Sequence, residues 1–414
     1  MPRHFSETPR SKAMRLRQVS LGVLFVLAGC QSLTPSSAPS PPPTAPVQPA
    51  VKPILPPPAA GTAGMLRQSS WEALPGWRDD DPSRAWSAFL TSCRVIGKQE
   101  AWREICASAA ELNHPDRDAG RRFFEAHLTP FQVVNIDGDE AGLITGYYEP
   151  LLKGSRTRSA RYRFPVYGLP EDLLVVDLSD VYPELKGMRL RGRLDGRRVV
   201  PYYDREQIEL GRAPVAGKEI AWVEDPIELF FLQIQGSGRI ALDNGEVLLV
   251  GYADQNGHPY RSIGRLLIER GELSLDKASM QGIKTWARAH PDKVADLLNH
   301  NASYVFFREQ PAGLPGPLGA LGLPLTPRRS VAVDPALVPL GAPVFIATTW
   351  PLSSKPLNRL MLAQDTGGAI RGAVRADFFW GFGPAAAREA GRMRQQLRMW
   401  VLLPLSPAAQ GARP

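Results

Sequence analysis

The chain is poor in the residues that hold metals. Its 414 residues include three cysteines and six histidines. No His stands at ligand spacing with another His or with a Cys, so no metal site is expected. Concentrated positive charge is also missing. Formal charge is +8, but residues 1–30 hold five Lys or Arg against one Glu, which leaves about +4 for the rest. That mild basicity suits an anionic polymer and is too dilute for the basic stripe of a nucleic-acid binder. Beyond the amino terminus no apolar run is long enough to span a bilayer, and nothing repeats at solenoid spacing.

What the amino terminus does have is an order. Arg3, Arg10, Lys12, Arg15 and Arg17 precede the uncharged run Val19 to Gly29, which ends in Leu27-Ala28-Gly29-Cys30. A basic stretch, a short apolar run and small residues before a cysteine make residues 1–30 a bacterial lipoprotein signal. The plainer alternative is a short buried helix that happens to end in Cys. Met14 is an alternative start, because Arg15 and Arg17 suffice as the basic region. Cleavage makes Cys30 the lipid-bearing N-terminus. Gln31, where an Asp is absent, resembles the sorting signal for the outer membrane of a Gram-negative cell, facing the periplasm. Residues 31–65, with Pro41-Pro42-Pro43 and Pro56-Pro57-Pro58, form a semi-extended tether without a core. With Cys30 on lipid, Cys93 and Cys106 remain as a pair in a compartment that permits disulfides. A bridge between them is expected, two buried free thiols being the alternative.

From Trp71 to about His127 the pattern is helical, with Trp86, Phe89 and Leu90 at three-to-four spacing. Beyond Asp137, short apolar or alternating runs between Gly, Asp and Asn turns predict strands at 143–148, 173–178, 227–235 and 247–252. Residues 279–298 predict a helix. After it, 304–307, 330–333, 343–347, 359–364 and 399–403 again predict strands. The fold class is therefore mainly β with helices at its edges. Residues 308–404 read as a small barrel, 148–307 as a second β unit, and 405–414 as a tail. A cleft between two such units suits a long polymer.

The most informative stretch is 365–377, Asp-Thr-Gly-Gly-Ala-Ile-Arg-Gly-Ala-Val-Arg-Ala-Asp, which runs into Phe378-Phe379-Trp380-Gly381. Apolar neighbours disfavour an ionised carboxyl and raise its pKa, as a proton donor near neutral pH requires. Asp377 is the lead catalytic candidate and Asp365 the second. The alternative is that both only cap turns. Asp365-Thr366-Gly367 also spells the triplet of aspartic peptidases, but a single copy demands a symmetric dimer of much smaller subunits.

Five blocks in one order resemble the membrane-bound lytic murein transglycosylase A family. They are Thr145-Gly146-Tyr147-Tyr148-Glu149-Pro150, Phe231 to Gly238, Gly251 to Gly257, Ser303 to Phe307, and Asp365 to Gly381. The resemblance implies a double-psi β-barrel of residues 66–147 plus 308–404, a β domain inserted at 148–307, and a glycan groove between them. It makes Asp334, Asp365 and Asp377 the aspartates of a three-aspartate domain, with Asp377 catalytic. The spacing of the last two is a residue longer than in a well-known member, so the loop 372–376 is expected to differ in shape.

The implied reaction cleaves the β-1,4 bond between N-acetylmuramic acid and N-acetylglucosamine of peptidoglycan. Asp377 acts first as general acid and then as general base, while the 6-hydroxyl of the muramic residue attacks C1 to give a 1,6-anhydro product. No water, metal or organic cofactor takes part. Asp365 and Asp334 then tune Asp377 or hold its loop, though Asp334 reads equally well as a plain Asp-Pro turn. Gln235, Gly236, Ser237 and Thr366 are candidates to bind sugar hydroxyls and acetamides, a hairpin turn at 235–237 being the alternative. Tyr147, Tyr148 and Trp380 either stack on sugar faces or belong to the core. Expected partners are glycan strands and, through the lipid, a membrane. Periplasmic synthases and scaffolds are reasonable partners too, without a visible docking motif. Two other readings stay open. One is a wall-binding protein without catalysis, the other a hydrolytic muramidase in which Asp365 holds a water. Exo or endo cleavage stays open as well.

Overall fold

The protein's structure, a computed structural model, describes residues 66–404 apart from 186, 187, 189 and 276. The signal, Cys30, the tether and the tail lie outside the described residues. Strand β1 (Leu66–Gln68) is followed by helices α1 (Trp86–Ile96), α2 (Glu100–Glu111) and α3 (Arg117–His127). Asp116 starts α3 by accepting from the Ala119 N–H at 2.7 Å. Trp86, Phe89, Phe123 and Phe124 meet edge to face between α1 and α3. Cys93 of α1 is bonded to Cys106 of α2.

Strands β2 (Leu128–Val133) and β3 (Gly142–Glu149) lead to β4 (Leu151–Ser155), β5 (Phe164–Tyr167), β6 (Leu174–Val175), β7 (Arg191–Asp195) and β8 (Arg198–Pro201). Next come α4 (Arg205–Glu209), β9 (Glu219–Val223), α5 (Pro226–Gln235), β10 (Ser237–Leu242) and β11 (Val247–Gln255). Helices α6 (Ile263–Glu269), α7 (Met280–Ala289) and α8 (Val294–Asn299) precede β12 (Val305–Glu309). The last part holds β13 (Ser330–Val333), β14 (Pro343–Thr349), β15 (Pro356–Asp365), β16 (Arg375–Phe382), α9 (Gly383–Ala390) and β17 (Arg394–Pro404).

Six of these strands close on themselves. The order is β17-β14-β15-β13-β16-β3, and β3 pairs back onto β17. Two of the pairs, β13 with β15 and β16 with β3, run parallel. Closure removes the exposed edges that an open sheet of this size would leave. Strands β2 and β1 extend the sheet beyond β17. The interior and its helical cover form one apolar core that includes Phe345, Met361, Phe378, Trp400 and Phe124. A second sheet, β12-β11-β10-β4-β9-β5, carries its own core around Ile240, Val250 and Phe307. A bridge between Gly168 and Phe307 draws its two edges together. Strands β6, β7 and β8 form a small third sheet. The chain passes from the first sheet to the second through Pro150 alone, between β3 and β4, where the missing N–H ends the ladder.

Three expectations are corrected here. Residues 227–235, expected as a strand, form helix α5. Leu229 and Leu232 face the core of the second sheet, while Ile227, Phe230 and Phe231 face α6, α7 and α8. An all-apolar run reads alike as strand or helix, and two cores on opposite sides demand the helix. The local signal was Asp225-Pro226: Asp225 accepts from the Ile227 N–H at 2.8 Å and Pro226 occupies the first turn. The helix expected over 279–298 breaks at His290 and Pro291 into α7 and α8. Of 173–178, only Leu174–Val175 is strand.

Candidate active site

Strand register brings the aspartates together. Ala332 on β13 pairs with Asp365 on one side and with Asp377 on the other, and Asp377 in turn pairs with Thr145 on β3. Residues opposed across neighbouring strands share a face, so Asp365, Ala332, Asp377 and Thr145 form one row across four strands. Tyr147 stands two residues beyond Thr145 on β3, on the same face.

The hydrogen bonds differ between the two acids. Asp377 Oδ1 accepts from Thr145 Oγ1 at 2.6 Å, and that hydroxyl oxygen accepts from Arg375 Nη2 at 2.9 Å. Arg375 thereby commits the Thr145 proton to Asp377. Asp377 Oδ2 has no partner among the described residues. Asp365 is more fully held: Oδ2 accepts from the Tyr147 hydroxyl at 2.8 Å, and Oδ1 from the N–H groups of Ala320 at 3.0 Å and Thr366 at 2.9 Å.

Burial pushes the Asp377 carboxyl up to about 6, and the Asp365 charge adds to this, while Thr145 and Arg375 pull the other way. Burial likewise takes Asp365 up to about 6 against its three donors. Both residues nonetheless keep part of their surface open to solvent. Tyr147 is held protonated by burial and by the Asp365 charge beside it.

The other candidates fall into place unevenly. Tyr148 and Trp380 are 5% and 3% exposed and lie in the core, so neither stacks on a sugar. Tyr147 is 7% exposed and spends its hydroxyl on Asp365, so it too is no stacking platform. These are corrections: Tyr148 and Trp380 lie on the face opposite the aspartates, which packs into the core, and Tyr147, on the aspartates' own face, is covered by Phe379. Asp334 is also buried. It takes the N–H of Gly372 at 2.9 Å and of Ala336 at 3.2 Å, and lies 3.7 Å from Arg371. It pins the 365–377 loop and offers no face to a glycan.

Residues 235–237 form the end of α5 and the start of β10, with no hairpin there. Gly236 closes the helix in the left-handed region, φ 78°. Gln235 Oε1 accepts from the Tyr148 N–H at 3.0 Å, which ties the second sheet's helix to β3 and leaves the Gln235 amide without a partner among the described residues. Nearby, Arg239 of β10 bonds the buried Glu149 at 2.9 Å and lies over the half-exposed Phe382 at 4.3 Å. Sequence reasoning missed Thr145 and Arg375. The alternation Thr145/Tyr147 against Asp377/Phe379 was the available signal, but it shows only once β3 and β16 are paired.

Two aspartates raised toward neutral pH, set in one row of a closed β structure, define the class: an enzyme of general acid-base chemistry. Family models agree with a narrower placement. The MltA specific insert domain matches residues 143–308 and the 3D domain matches residues 329–403. Membrane-bound lytic murein transglycosylase A of Escherichia coli strain K12 is 34% identical over 283 residues, 66% of this chain and 69% of that protein. The crystal structure of MltA from Neisseria gonorrhoeae, monoclinic form, superposes with a TM-score of 0.71 at 40% identity, covering 85% of this chain and 96% of that one. E. coli MltA with bound chitohexaose gives a TM-score of 0.60 at 28% identity over 78% and 90% of the two chains. The chain belongs to the membrane-bound lytic murein transglycosylase A family and has its β-rich fold.

Proposed function

We propose that this protein is a peptidoglycan lytic transglycosylase that cuts the N-acetylmuramic acid to N-acetylglucosamine bond and leaves a 1,6-anhydromuramoyl end. The observation that carries the reading is the asymmetry between Asp377, with one donor and an open oxygen, and Asp365, with three donors. Donors favour the charged form. Of the coupled pair, Asp365 therefore takes the negative charge first and Asp377 keeps the proton.

Asp377 Oδ2 delivers that proton to the glycosidic oxygen as the C1–O bond breaks and N-acetylglucosamine departs. The anionic Asp365 stabilises the positive charge that develops at C1. The Asp377 carboxylate then takes the proton of the muramic 6-hydroxyl as O6 closes onto C1, which restores the acid. Thr145, oriented by Arg375, fixes the carboxyl for both steps. A positioned acid-base group contributes on the order of 10²–10⁴ in rate, and the groove supplies the rest by orientation.

The closed ring with its two parallel pairs supports a double-psi barrel built from 66–147 and 308–404, with 148–307 as the other wall of the groove. Gln235, Ser237 and Thr366 are the polar groups proposed to meet the glycan there; that a glycan binds at all in this fold is supported by the E. coli relative with bound chitohexaose. The lipobox at Cys30 and the relatives' description as membrane-bound support an outer-membrane lipoprotein facing the periplasm.

The test is mass spectrometry of products from purified sacculi treated with the full chain in detergent. Anhydro-ended muropeptides, one water lighter than reducing ones, are expected. Asp377→Asn is expected to lower their release by at least about a hundredfold. Reducing ends would mean a hydrolase, and bound strands without products a wall-binding protein.

A further inference from the structure

A cavity of about 590 Å³ lies away from the aspartates, where β5, the start of α5 and α7 meet. Its lining holds four cationic side chains, Arg161, Arg163, Lys284 and Arg288, against the carboxylates of Glu224 and Asp225. The carboxylates are already engaged. Glu224 pairs with Arg161 at 2.8 Å and with Lys153 at 3.8 Å, and Asp225 caps α5. Lys284 is taken by Glu228 at 2.8 Å. Arg163 and Arg288 have no carboxylate partner among the described residues, and Arg163 is stacked 5.4 Å over Phe164. The cavity therefore offers two unpaired guanidinium groups above a partly apolar floor.

It also has a way in. A second cavity of about 240 Å³ shares Glu224, Asp225 and Arg288 with the first and reaches Leu151, next to the Pro150 crossover between the two sheets. The pair forms a furrow that runs from that junction beside the start of β4 to the first turn of α5. Helix α5 has ten residues, about 15 Å of length, from the cavity at Pro226 to Gln235, which is bonded to Tyr148 of β3.

We propose that this furrow binds the peptide stem of a muramic residue seated in the groove, with Arg163 and Arg288 holding its carboxylates. The inference rests on the transglycosylase reading and names a feature of its substrate. A four-residue stem spans about 14 Å when extended, the separation that α5 sets between the cavity at Pro226 and the junction where Gln235 meets Tyr148. Its acidic side chain and terminal carboxylate meet the free guanidinium groups, a pairing that Arg makes in fork geometry. A lipid headgroup offers phosphate on a flat surface, whereas this site is concave, with an apolar floor at Phe164 and Ile227.

The test uses the full chain in detergent and the double variant Arg163→Ala with Arg288→Ala. Both residues are exposed, and an unchanged melting curve checks the fold. Two substrates are compared: glycan strands that carry their stems, and the same strands stripped by an amidase. On stem-bearing strands kcat/KM is expected to fall about tenfold through KM, the scale of lost charge-assisted hydrogen bonds, while stripped strands react unchanged. An equal effect on both substrates, or none on either, overturns the proposal. Titration of a free stem tetrapeptide by NMR is expected to shift α5 and α7 signals in the parent and not in the variant. Loss of binding to anionic vesicles with tetrapeptide binding intact would assign the cavity to lipid phosphate and overturn it too. If neither protein yields anhydro products from either substrate, the transglycosylase reading fails, and the tetrapeptide titration still decides the cavity.

Discussion

Asp377 and Asp365 sit where the surroundings oppose their charge, and stability must reflect it. Each native carboxyl titrates at about 6 instead of 3.8, so between roughly pH 4 and 6 the native state binds more protons than the unfolded one. The stabilisation is full below about pH 4 and is lost as pH rises through 6. Asp377→Asn keeps an acceptor for Thr145 and removes the charge. The variant is expected to be inactive yet more stable than the parent at pH 8, by on the order of 2–3 kcal/mol, with the difference vanishing near pH 4. Urea denaturation at the two pH values measures this. A difference independent of pH, or a variant weaker at pH 8, would show that the native carboxyl carries no burial cost.

Among the elements, β3 does most to build the site. Its Thr145 and Tyr147 reach both aspartates, and Gly146 between them lets α9 and Trp380 press onto the opposite face. A Cβ at Gly146 would lie 2.6 Å from Trp380 Nε1 and 3.0 Å from Ala390 Cα. Gly146→Val must therefore push β3 away from α9 or tilt Thr145 off Asp377. A loss of about 1–3 kcal/mol is expected from the overpacking, together with a kcat loss that low temperature does not restore. A variant with parental urea midpoint and parental kcat would refute the tight fit. Helix α5 shows the other role of an element: its buried faces join two cores, while its ends meet the stem cavity and the Tyr148 backbone.

At the scale of the whole molecule, the amino-terminal segment is a buttress for the catalytic strands. Asp80 and Arg329, each 7% exposed at the side chain, pair at 3.2 Å. Asp80 also accepts the Leu360 N–H at 2.7 Å, and Arg329 donates to the Leu360 carbonyl at 2.7 Å. Gln364, next to Asp365, accepts from Ser330 Oγ and donates to the Ala88 carbonyl and to Ser92 Oγ on α1. Asp80→Ala leaves Arg329 buried without its partner. It is expected to cost about 3–5 kcal/mol in denaturant unfolding while the surviving folded enzyme cuts sacculi normally at low temperature. An unchanged midpoint would mean that the pair contributes nothing to the clamp.

The order of the blocks, the two aspartates around a glycine-rich turn and the change from helices to strands near Asp137 were all legible by eye, because local composition and spacing carry them. Which face each strand turns inward was not. Tyr148 and Trp380 looked fit for sugars and went to the core, and the run 227–235 became a helix because two cores close on it. Thr145 meets Asp377 across 232 residues and Tyr147 meets Asp365 across 218. By itself the sequence determined which acids and which turns this protein carries. The closed ring alone decided which donors each acid meets, because register across distant strands brings Thr145 to Asp377 and Tyr147 to Asp365.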